Sequence, residues 1–152
     1  MGTLAIWQRF ASKRGGKWAF SRLVCLKAPY FGSIHPRFEE LRPEYCRIAM
    51  RKRRAVLNHI GTVHAIAMCN MAELAGGTMT EVSIPATHRW IPRGMSVEYL
   101  KKAATDLVAV ATPDATPDWS GPGDYRVNVT VSDRSNEPVL RATITMWVTP
   151  RK

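Results

Sequence analysis

Alternation of apolar and polar positions is clearest in the last third of the chain. Tyr125, Val127, Val129 and Val131 alternate with Arg126, Asn128, Thr130 and Ser132, and Leu140, Ala142, Ile144, Met146 and Val148 alternate with Arg141, Thr143, Thr145 and Trp147. Successive side chains of a strand point to opposite faces, so this period of two predicts two half-buried strands, and the turn at 133–138 makes them a hairpin. Tyr45–Met50, introduced by the turn at Arg42-Pro43-Glu44, and Leu107–Ala111 read as further strands. The run from His88 to Tyr99 is extended, with Pro92 and Gly94 marking a bulge or a sheet edge inside it. Residues 112–124 are turn-rich loop, and residues 30–41 are short helix or irregular strand.

A different pattern fills Asn58–Met79. Read as a helix, it carries Val63, Ile66, Met68, Met71 and Leu74 with small alanines and glycines between them, apolar on nearly every side. Such a helix is buried. His64, Asn70 and Glu73 are the polar exceptions within it, and a buried Glu needs a partner or a task. Residues 1–29 predict two short amphipathic helices broken at Gly15-Gly16. Their expected role is a lid packed on the domain; an interfacial membrane helix and a transit peptide are the competing readings. One long helix followed by antiparallel strands implies an α+β fold in which a curved sheet wraps the helix.

Composition narrows the field. A chain of 152 residues with 45% hydrophobic residues favours one domain. No apolar run reaches the roughly 20 residues of a membrane span, so no stable membrane insertion is expected. The three cysteines have no metal spacing and cannot all pair, which points to a reducing cytoplasm. Net charge is +10, and the first acidic residue is Glu39, after seven Lys and Arg residues. That charge suits nucleic acid, anionic lipid or a phosphate-bearing small molecule. No aromatic–basic RNA motif or recognition-helix pattern is present, so nucleic acid ranks last.

Asn58, the run Gly61-Thr62-Val63-His64-Ala65, and Glu73 nine residues after His64 together resemble the hotdog-fold acyl-CoA thioesterases of the phenylacetate-pathway and 4-hydroxybenzoyl-CoA types. In those enzymes an Asn or Gln precedes a Gly-x-x-His-Gly element, and an Asp or Glu follows nine residues after the His. The run Val97-Glu98-Tyr99-Leu100-Lys101-Lys102-Ala103 is similar to their Tyr-x-x-x-Ala strand. The likeness covers roughly residues 34–149 and implies a hotdog domain over 30–152 with an N-terminal helical extension over 1–29. One departure is Ala65, where the family commonly has Gly. Alanine keeps the backbone N–H, so the chemistry survives where the backbone angles admit a Cβ.

The resemblance implies hydrolysis of acyl-CoA to free acid and coenzyme A, without metal or redox cofactor. Glu73 would act as general base or nucleophile, the Ala65 N–H at the helix start as oxyanion donor, Asn58 as orienter of the water, and His64 as a holder of the carbonyl or loop. Arg51, Lys52, Arg53, Arg54, Lys101 and Lys102 are candidates for the phosphates of coenzyme A. Nine residues of helix turn about 900° and rise roughly 13 Å, so His64 and Glu73 cannot serve one carbonyl from the same helix. Two copies related by a two-fold axis can, which predicts a homodimer, or a dimer of dimers, with composite sites. The competing reading is a hotdog protein that binds acyl-CoA without cleaving it.

Overall fold

The alternating segments pair as their pattern predicts. A computed structural model describes residues 2–151. Six strands, β1 (Arg37–Arg42), β2 (Tyr45–Met50), β3 (His88–Tyr99), β4 (Leu107–Pro113), β5 (Gly123–Ser132) and β6 (Pro138–Pro150), form one antiparallel sheet in the order β1-β2-β4-β5-β6-β3. Register shifts between Pro92 and Gly94, where β3 pairs with β6, so the expected bulge is present. Three helices accompany the sheet: α1 (Thr3–Ala11), α2 (Gly16–Lys27) and the long α3 (Ala65–Ser83).

Packing of α3 against β2, β4, β5 and β6 makes the core. Met71, Ala72, Ala75 and Met79 are fully buried, as are Ile48, Ala109, Val127 and Met146 facing them from the sheet. Each large apolar side chain buried this way contributes about 1.5–3 kcal/mol. Small residues set how closely the helix approaches: a Cβ on Gly76 would stand 2.9 Å from Ile144 Cδ1. The sheet curved around one helix is the hotdog fold.

One expectation requires correction. The helix begins at Ala65, not Asn58, and ends at Ser83, beyond Met79. Residues before it are drawn into a turn by Asn58, whose Oδ1 accepts from the Ile60 and Thr62 N–H groups at 3.1 Å and whose Nδ2 donates to Thr62 Oγ1 at 2.8 Å. Gly61 takes φ +80°, a left-handed conformation that a helix does not admit. His64 is the N-cap, and its Nδ1 accepts from the Ile66 N–H at 3.0 Å. Past Gly76-Gly77, burial of Met79 and Thr80 on the sheet carries the helix on to Ser83.

The N-terminal segment folds as two helices packed on the domain. Gly15 turns the chain at φ +75°, and a Cβ on Gly16 would fall 1.7 Å from the Phe10 carbonyl oxygen, so the glycine pair is what lets α1 and α2 meet. Trp7, Phe20 and Phe38 form an edge-to-face series with successive centroids 5.1 Å apart, and all three belong to the main core cluster. α2 also runs along β1, the strand at one end of the sheet. Ser21 Oγ accepts the Phe38 N–H at 3.0 Å, and Lys17 Nζ donates to the Glu39 carbonyl at 2.7 Å. At the opposite end β3 pairs only with β6 and exposes Ile91, Met95 and Tyr99.

Candidate active site

Glu73, expected from the sequence to be a buried acid, is instead exposed, because it lies on the side of α3 that the sheet does not cover, while Met71, Ala72, Leu74 and Ala75 around it are buried. Its carboxylate makes no hydrogen bond or ion pair among the described residues. It opens on an apolar cavity of about 310 Å³, walled by Val24, Ala28, Phe31, Leu74, Gly77 and Trp90. Trp90 is fixed there by its Nε1–H donating to Glu81 Oε2 at 2.7 Å, and a Cβ on Gly77 would lie 2.9 Å from the indole. Sequence reasoning missed Val24, Ala28 and Phe31. Nothing in their pattern says that this end of α2 and the 3₁₀ turn after it (Pro29–Ile34) reach the acid.

At the start of α3 a second, smaller cavity of about 190 Å³ brings together Tyr30, Ser33, His64, Ile66 and Asn70. Asn70 is buried; its Nδ2 donates to Ser33 Oγ at 3.1 Å, and its Oδ1 has no protein partner. Ala65 is the first helical residue, and its N–H bonds to no group among the described residues. Asn58 lies just upstream, with most of its amide engaged in its own turn and one N–H left over. The structure thus gathers Asn58, His64 and Ala65 at one end of α3, and sets Glu73 in a different cavity of the same chain.

The basic candidates differ in freedom. Lys101 Nζ lies 2.9 Å from Asp133 Oδ2 and also bonds Glu137, contacts that hold its ammonium charge firmly, with Glu137 the larger influence. Arg53 donates to the Ser33 carbonyl, whereas Arg54 and Lys102 are exposed. Both Lys101 and Lys102 lie beyond the end of β3; Ala103, after them, is buried and accepts the Val63 N–H at 2.8 Å. That bond ties the loop carrying the lysines to the approach to α3.

A family model described as "Domain of unknown function (DUF4442)" matches residues 16–148. No curated protein matches the chain. A solved structural-genomics target carrying no functional name is 51% identical, with 98% of this chain and 99% of that chain covered and a TM-score of 0.86. A Pseudomonas aeruginosa protein of unknown function, described as a probable thioesterase, is 24% identical over 86% of this chain and 93% of its own, with a TM-score of 0.77. A Haemophilus influenzae thioesterase is 12% identical over 84% and 87%, with a TM-score of 0.74. At such identities the last two show a shared fold.

Proposed function

We propose that this chain, which belongs to the DUF4442 family, is a thioesterase that hydrolyses acyl-CoA to a free acid and coenzyme A. The observation that carries the reading is Glu73: a carboxylate without an internal partner, on a helix otherwise buried around it, facing an apolar cavity. Structural neighbours described as thioesterases support the same reading. Three free thiols fit a cytoplasmic enzyme.

In this reading the acyl chain lies against Val24, Phe31 and Trp90. Glu73 removes a proton from water as the oxygen attacks the thioester carbonyl, or attacks the carbonyl itself to give an anhydride that water then opens. The oxygen that gains negative charge is received by the N–H of Ala65 of the partner subunit, with the α3 dipole behind it. Collapse of the tetrahedral species expels the coenzyme A thiolate, a good leaving group that needs no strong acid. Asn58 of the partner subunit, beside the same helix start, would point its remaining N–H at the water or carboxylate, and the partner's His64 would hold that helix start in shape. Arg53, Arg54 and Lys102 lie at the phosphate end. Lys101, neutralised by two carboxylates, contributes less.

Pairing through β3 would bring the two halves together. β3 is an edge strand of 12 residues whose exposed Ile91, Met95 and Tyr99 resemble an interface more than a solvated surface. The test is free-thiol release from acyl-CoAs of graded length, with Glu73→Ala in parallel. The wild type is expected to turn over at least one, and the variant to lose about 10²-fold or more while staying folded. Turnover unaffected by Glu73→Ala, or none with any acyl-CoA, overturns the proposal.

A further inference from the structure

A third cavity, larger than the one beside Glu73, shares no lining residue with it. This open groove of about 660 Å³ lies between the N-terminal half of α2 and the sheet. Ala49 and Val108 line it from the sheet; Arg22, Arg37, Arg51 and Arg134 contribute cations; Trp18 stands on the helix side, 65% exposed. Its volume falls in the range of small-molecule sites.

Charge in the groove is unbalanced once pairs are assigned. Its three carboxylates are already engaged: Glu39 with Arg47 at 2.9 Å, Asp106 with Arg134 at 2.7 Å, and Asp133 with Lys101 at 2.9 Å. Arg22, Arg37 and Arg51 form no ion pair among the described residues, although Arg51 is near enough to Asp106 to help hold that carboxyl below its usual range after the Lys52 N–H and Arg134, and Arg22 Nε is buried without any hydrogen-bond partner. His35, also in the lining, is held below its usual pKa chiefly by the positive charge of Arg53, then by burial and Arg22. The neighbourhood is short of an anion. Guanidinium forks match phosphate oxygens in pairs, and three of them suit a diphosphate better than a single carboxylate. The free indole face beside them suits a planar heterocycle.

We infer that this groove binds a nucleoside diphosphate, its phosphates on Arg22, Arg37 and Arg51 and its base stacked on Trp18. Two sources share that chemistry: a free nucleotide, and the nucleotide end of coenzyme A. The site does not depend on the thioesterase reading.

The experiment is titration calorimetry of the full chain with ADP, adenosine, inorganic pyrophosphate and coenzyme A. ADP is expected to bind and adenosine not. Arg37→Ala/Arg51→Ala, at two exposed positions, should weaken ADP and pyrophosphate by about tenfold or more, and Trp18→Ala should weaken ADP about tenfold while sparing pyrophosphate. Displacement of ADP by coenzyme A assigns the groove to the nucleotide end of that molecule; failure to displace it assigns a free nucleotide. Absence of ADP binding, an ADP affinity unchanged in either variant, or adenosine binding as well as ADP overturns the inference. Glu73→Ala is expected to keep ADP binding, so a failed hydrolysis assay and a failed groove are separate results.

Discussion

Ala65 is a position where structure and chemistry can be separated. The first residue of a helix gives its N–H to no helical carbonyl, and proline is welcome there. His64 before it is extended, at φ −64° and ψ 137°, a conformation a following proline also favours. Ala65→Pro is therefore expected to leave the denaturation midpoint within the spread of a neutral substitution. It removes the proposed oxyanion donor, so acyl-CoA hydrolysis should fall by about 10²–10³-fold. Gly16 behaves oppositely. Any Cβ there meets the backbone of Phe10 rather than a flexible side chain, so Gly16→Ala is expected to cost about 2 kcal/mol or more in urea denaturation by prising α1 from α2. The spacing of Asn58, His64 and Glu73 was readable without coordinates because it lies within one short stretch of chain. Val24, Ala28 and Phe31 were not, because their place opposite Glu73 follows from how α2 docks on the domain.

Elements were readable where one period dominates. β5 and β6 alternate cleanly because one face packs on α3 and the other does not. The start of α3 was misplaced because apolar periodicity runs on through residues whose side-chain hydrogen bonds favour a turn. The tie between α2 and β1 had no sequence signature at all, since Ser and Lys are residue types ordinarily found on the solvent side of an amphipathic helix, whereas here Ser21 is buried against β1. Its energetic role can be measured. Ser21→Ala removes the acceptor for the buried Phe38 N–H, an unsatisfied donor worth about 1–3 kcal/mol, and should lower the urea midpoint accordingly. Ser21→Thr, which keeps the oxygen, should recover part of that loss.

For the whole molecule, the proposed division of labour between two copies has a direct test. Each active site would take Glu73 from one subunit and Ala65 from the other. Glu73→Ala and Ala65→Pro homodimers should both be nearly inactive. Mixed and allowed to exchange, they form heterodimers in which one site carries both intact residues and the other carries neither. Random exchange then restores about a quarter of wild-type activity per chain. No recovery after exchange confirmed by mass would place both residues' contributions within one subunit.

The unequal ends of the sheet also set a limit on growth. An exposed strand edge is a template for another strand, and a sheet open at both ends can add neighbours without stopping. Here Ser21 and Lys17 occupy backbone groups of β1 that a further strand would need, so one end is shut from within the same chain. Only the β3 end can accept a second molecule, and a two-fold pairing through it leaves both outer ends sealed. In the proposed dimer, edge-to-edge assembly would therefore terminate at two chains, with the helix that looks like an accessory to the fold as the stop against a fibre.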